Sequence, residues 1–159
     1  MKARAFLLVA AIAALAFTGC KKTAISITEG TGSIVYDETR YLLNISTVAT
    51  SKNTDGTYTH SVILSNKDSD NLFSFSTRDN SSDNTIAAGS YTLSPTGSQI
   101  GHFSVHVSAS TVVSDAVNGT LTVSHSGDNH VFNFSGYTAD ENSEILSVTV
   151  HYSGKLNRK

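Results

Sequence analysis

The sequence has no tryptophan, one proline (Pro95) and a single cysteine, Cys20. A lone thiol cannot close an intramolecular disulfide, so this is not a stapled scaffold and its stability must come from a core. The absence of tryptophan removes the largest surface for stacking on flat ligands, sugar rings included. Basic residues are scattered singly apart from a pair near each end of the chain, which excludes the clustered positive face that a nucleic-acid binder needs. Also missing are the G-x-S-x-G nucleophile elbow, H-E-x-x-H and any Gly-rich phosphate loop. The chain therefore reads as non-catalytic, with no cofactor expected.

What is present begins with an address. Lys2 and Arg4 precede an apolar stretch from Ala5 to Phe17 and a small-residue exit at Thr18 and Gly19. That is the layout of a secretory signal, too short to span a bilayer that takes about 20 apolar residues. "FTGC" ends the segment, and it resembles the lipobox of bacterial lipoproteins, with Phe17 standing where leucine is preferred. The resemblance implies cleavage between Gly19 and Cys20 and acylation of the Cys20 thiol. Two or three acyl chains give a lasting anchor where a single chain is marginal. Lys21 and Lys22 would lie beside the headgroups, and the lack of an acidic run after Cys20 leaves both faces of the outer membrane open. The expected division is a cleaved signal at 1–19, a lipidated tether at 20–30, a β-domain at 31–156 and a tail at 157–159.

Without residues 1–19, nine basic residues face thirteen acidic ones, a net charge of −4. Serine and threonine make up about a quarter of the chain, and they alternate with apolar residues, the mark of half-buried strands. In "YLLNIST" the alternation places Tyr41, Leu43 and Ile45 on one face. It does the same for Tyr58, His60, Val62 and Leu64, for Phe73 and Phe75, and for Tyr91 and Leu93. Phe103, Val105 and Val107 follow, then Leu121 and Val123, Phe132 and Phe134, and finally Leu146, Val148, Val150 and Tyr152. "AISIT" and "GSIVY" are weaker candidates. Turn clusters such as "SNKDSDN", "SDAVNG" and "HSGDNH" separate the runs. Short turns favour antiparallel neighbours, so the expected fold is all-β, a single antiparallel barrel or sandwich of about 8–10 strands in meander order.

The segments "IAAGSYTL", "NGTLTVSHSGDNHVFNFSG" and "VHYSGKL" resemble small lipoproteins of Bacteroidota-type bacteria. That resemblance implies a calycin-like β-rich domain and carries no functional residue with it.

Of the six histidines, His102 and His106 lie about 13 Å apart along a strand and cannot share one ion. His125 and His130 flank the "SGDN" hairpin and are the one pair able to meet. Zinc needs at least a third protein ligand, so they read as solvent-facing strand residues and no metal site is expected. "DSDN" at 68–71 starts like a calcium loop but continues into Leu72 without the required glycine. The sequence thus points to a tethered binding module whose loops contact an envelope protein or a glycan. The alternative is a carrier of a small apolar ligand inside a barrel, with His60, Tyr41, Tyr58 and Tyr91 as candidate contacts. A third reading, an enzyme, would need a carboxylate or histidine cluster assembled only by folding.

Overall fold

The computed structural model describes residues 29–67, 69–83, 85–94, 99–109, 112–139 and 144–158. The signal segment, Gly19, Cys20, "AISIT" and Asp68 of the acidic turn lie outside the described residues. Every regular element among the described residues is a strand. In chain order these are β1 (Thr31–Tyr36), β2 (Thr39–Leu43), β3 (Ile45–Lys52), β4 (Tyr58–Asn66), β5 (Ser69–Asp79) and β6 (Gly89–Leu93). They continue as β7 (His102–Ala109), β8 (Val112–Ser126), β9 (Asn129–Ala139), β10 (Ile145–Gly154) and β11 (Asn157–Arg158).

All of them join one sheet in the order β11-β3-β4-β5-β7-β6-β8-β9-β10-β1-β2, strongly curled into a half-barrel. The fold is all-β, and a single sheet rather than a stacked pair makes it barrel-like. Neighbours are mostly consecutive and antiparallel, with three departures from a simple meander. β1 pairs with β10, β11 runs parallel to β3, and β6 is wedged between β7 and β8, parallel to the former. Pairing of Asn157 and Arg158 with Thr47 and Val48 carries the sheet past residue 156.

"YLLNIST" is not one uninterrupted strand. Its alternation skips at Asn44, so that Leu43 is buried, Ile45 is only half-buried, and Ser46 and Val48 take over the inner face. The cause is that Asn44 serves two neighbours. Its carbonyl accepts from the Gly30 N–H at 2.8 Å, its own N–H donates to the Ser65 carbonyl at 2.9 Å, and its Oδ1 accepts from the Lys67 N–H at 3.1 Å. Since β2 pairs with β1 and β3 with β4, this joint brings the two ends of the strand order together in one stretch of chain.

The inner face is largely the set read from the alternation, with Phe73, Phe103, Phe132, Leu64, Leu121 and Tyr152 fully buried, Tyr41, Tyr58, Leu93 and Leu146 half-buried at its margin, and Tyr36 and Ile86 added to it. Each fully buried side chain contributes roughly 1.5–3 kcal/mol on leaving water. The phenylalanine rings touch, Phe73 with Phe134 at 5.3 Å and Phe75 with Phe132 at 5.1 Å between centroids. Such tilted and edge-to-face contacts stabilise beyond area alone. Phe134 lies over the backbone of two facing glycines, Gly119 and Gly136. A β-carbon on Gly136 would fall 2.6 Å from the ring and 2.2 Å from the Asn118 carbonyl oxygen. Close backbone approach, not turn formation, is what glycine supplies there.

Candidate functional site

The two flanks of the β6 wedge define a fork. β7 pairs with β6 at His102 and Phe103, then with β8 from His106 onward. β8 pairs with β7 up to Asp115 and with β6 only from Thr120. Between these points the sheet is split, and the split is the floor of a groove of about 780 Å³.

Side chains at alternate strand positions face opposite sides of a sheet. The groove is built from Ser61 and Ile63 on β4, Ser74 and Ser76 on β5, and Ser104 and His106 on β7. Those positions alternate with the buried Val62, Leu64, Phe73, Phe75, Phe103 and Val105, so the groove opens on the face away from the aromatic core, although Val62, Phe75 and Val105 also border it, as do Thr92, Leu93 and Ser94. Ser61 and Ser76 hydrogen-bond each other at 3.1 Å. The far wall is Asp115 to Gly119 of β8.

That wall owes its shape to a bulge. Ala116 pairs with Thr138 and Asn118 with Tyr137, so Val117 is an extra residue without a partner on β9. Bulges re-aim side chains and are common beside functional sites. Here the bulge turns Asp115, Val117 and Asn118 all to the exposed side, Val117 at 57% exposure. "SDAVNG", expected to be a turn, is thus the interior of the 15-residue strand β8. Pairing with β7 and then with β9 overrides the local turn chemistry of Asp115, Asn118 and Gly119.

Asp115 Oδ1 lies 2.9 Å from His106 Nδ1. A carboxylate only accepts, so His106 donates through Nδ1. His106 Nε2 and Asp115 Oδ2 have no hydrogen-bond partner among the described residues. Among the described residues no lysine or arginine lines the groove.

The sequence-level candidates stand elsewhere. His60 is fully buried, as its place on the apolar face implied, and its partners are two side chains. Its Nε2 meets Asp79 Oδ1 at 2.9 Å and its Nδ1 meets Thr50 Oγ1 at 2.9 Å. Asp79 also accepts from the Ser81 N–H at 2.7 Å and the Ala87 N–H at 3.1 Å. With three donors on Asp79, His60 carries its proton on Nε2 and Thr50 donates to Nδ1. The connectivity resembles a nucleophile–base–acid relay. However, His60 is sealed and Asp79 is 5% exposed, so the arrangement pins β3, β4 and the segment after β5 together.

Tyr91 is buried at the same end, and its hydroxyl donates to the Ala87 carbonyl at 2.7 Å. Burial and then the charge of Asp79 push its pKa up to about 12. Tyr58 stands opposite Asp79 in register and Tyr41 opposite Ile34 on β2. None of His60, Tyr41, Tyr58 and Tyr91 lines the groove.

The pair His125 and His130 does meet across its hairpin, but not as two solvent-facing rings: His130 is 8% exposed. Among the described residues no group of three metal-ligating side chains comes together. Comparison of the chain with protein-family models, with curated proteins and with solved structures finds no match.

Proposed function

We propose that this chain is an envelope lipoprotein, held to the outer membrane by acyl chains on Cys20, whose calycin-like half-barrel is a non-catalytic binding module. The observation that carries the binding role is the groove at the β6 fork, a concave surface of about 780 Å³ on the outer sheet face, lined by serine hydroxyls together with apolar groups such as Ile63 and Leu93. Its size falls within the range of ligand sites, and a bulge and a His–Asp pair shape its wall. The working surface is the sheet face and its bulge more than the loops, and the ligand is an extended polar one, glycan or protein segment. The carrier alternative is less well supported, because touching phenylalanine rings occupy the interior where a cargo would sit.

Two measurements test this reading. Cys20→Ala should move the protein from the membrane fraction to the soluble one, and unchanged retention sinks the lipid anchor. Hydrogen exchange of the full chain, with and without whole envelope extract, should show added protection in β4, β5, β7 and residues 115–119. Protection confined to hairpin tips on the opposite side would sink the groove.

A further inference from the structure

The chemistry of the groove narrows its occupant, provided that the domain is the binding module proposed above. We propose that the groove at the β6 fork is a subsite for a neutral saccharide, with Tyr137 as its stacking platform and Asp115, Asn118 and His106 as its hydroxyl-recognising groups.

Charge comes first. The lining offers a carboxylate, an imidazole, an amide and a row of serine and threonine hydroxyls, with no lysine or arginine among them. A phosphate, sulfate or uronate would meet Asp115 with no lysine or arginine beside it among the described residues, and His106 already pairs with that carboxylate, so the site selects against anions. The lining is mixed, with Ile63, Leu93, Ala116 and Val117 beside Ser61, Ser74, Ser76 and Ser104, and a purely apolar cargo would leave those hydroxyls without partners. A peptide added as a strand needs a run of free backbone edge. The fork breaks pairing over only Ser104 and Val105 on β7, too short for that mode.

A pyranose answers the remaining requirements, because it presents hydroxyls around a rim and an apolar C–H face. The matching apolar surface is Tyr137, which pairs with the groove residue Asn118 and is 50% exposed. Tyr137 is not itself in the groove lining, but cross-strand partners place their side chains about 5 Å apart on one face, which sets its ring beside the bulged wall. Val117 and Ile145, 57% and 70% exposed, extend the apolar strip on either side of it. An exposed tyrosine amid other uncovered apolar groups is what a sugar face requires, and it supplies the aromatic surface in a chain without tryptophan.

The experiment is calorimetric titration of the full chain in detergent with neutral hexasaccharides (gluco-, xylo- and manno-configured), with heparin as a polyanionic probe and oligolysine as a cationic peptide probe. Expected is binding of at least one neutral hexasaccharide, weakened at least ~10-fold by Tyr137→Ala and by Asp115→Asn, and unchanged by Leu42→Ala, an exposed site on β2. Tyr137 and Asp115 are both exposed, so each variant's unfolding midpoint should match the parent. Saccharide binding that survives both groove variants overturns the site. Failure of every neutral sugar, with heparin or oligolysine bound instead, overturns the saccharide inference while leaving the binding-module reading standing. Failure of all probes together with absence of envelope-dependent protection at the groove removes both.

Discussion

His125 and His130 stand opposite each other across the β8–β9 hairpin with ring centroids 4.7 Å apart and planes at 70°, and only His125 has a hydrogen-bond partner. Its Nε2 donates to the Ile86 carbonyl at 3.0 Å. Both nitrogens of His130 are buried without a partner among the described residues, and its ring stacks on Phe132 at 5.9 Å.

Burial, with a smaller contribution from His125, pulls the pKa of His130 down to about 4 from 6.5. The folded state therefore refuses a proton that the unfolded chain accepts below pH 6.5. Stability falls as pH drops from 6.5 toward 4 and levels off below, by about 1–2 kcal/mol after allowance for water near the hairpin edge. His130→Phe keeps the stacking and removes both unpaired nitrogens. It should abolish this slope and raise stability at neutral pH by about 1 kcal/mol. Urea midpoints across the acid range check both.

The His60–Asp79 pair yields a second expectation. Asp79→Ala leaves the buried His60 Nε2–H and the part-buried Ser81 and Ala87 N–H groups without their acceptor, at a cost of about 2–3 kcal/mol. Thr50→Val removes one neutral hydrogen bond and should cost only about 1 kcal/mol. Asp79→Asn should also lower the pKa of Tyr91, since it removes the negative charge that helps to raise it. Tyrosinate absorbance during alkaline titration reads this out. A Tyr91 titration unmoved by the variant would mean that burial alone sets it.

The β1–β2 turn carries strain that can be relieved. Asp37 and Glu38 have φ of 45° and 62°, the left-handed conformation that a two-residue type I′ hairpin demands and that glycine adopts freely. Glu38→Gly should stabilise by about 1 kcal/mol, seen as a raised thermal midpoint. No gain would show that the larger backbone entropy of unfolded glycine offsets the relief.

Gly136 tests the link between core and groove. Alanine there would press on the Asn118 carbonyl and on Phe134, and the Asn118 carbonyl belongs to the bulge itself. Gly136→Ala should cost about 2–3 kcal/mol and shift the amide resonances of residues 115–119. A destabilised protein with those resonances in place would separate the core from the groove.

The inner face was legible in the sequence because one side of each strand is dry. Phe73, Phe103, Val148 and most of their companions are buried, while Tyr41, Ile45, Tyr58, Leu93 and Leu146 at strand ends and joints are only half-buried. What periodicity could not show was the break at Asn44, where a change of pairing partner shifts the alternation by one residue. Nor could it show β8 passing through "SDAVNG", where Asn118 and Gly119 imitate a hairpin and long-range pairing with Tyr137 and Gly136 prevails. The groove was invisible for a related reason. Ser61, Ser74, Ser76 and Ser104 look like ordinary outward positions, and only the fork makes them neighbours of Asp115 and Asn118. His130 was misplaced because a polar ring at a hairpin end reads as exposed, and the signal that it is not is its inward parity with Phe132 and Phe134.

The β6 wedge has a consequence for how this chain folds. β7 and β8 are paired in a constant register, His106 with Asp115 through Ala109 with Val112, and continuing it would set Phe103 against Asn118. A hairpin zipped that far occupies the edges that β6 uses at Leu93 and Thr92. Two arrangements thus compete for the same backbone groups, and the native one is reached only when the short strand Gly89–Leu93, secured by buried Tyr91, displaces the inner rungs of a ladder able to form from local contacts alone. Strand invasion of this kind makes docking of the five-residue β6 a late event in folding, and the groove is a space that exists only once it has occurred.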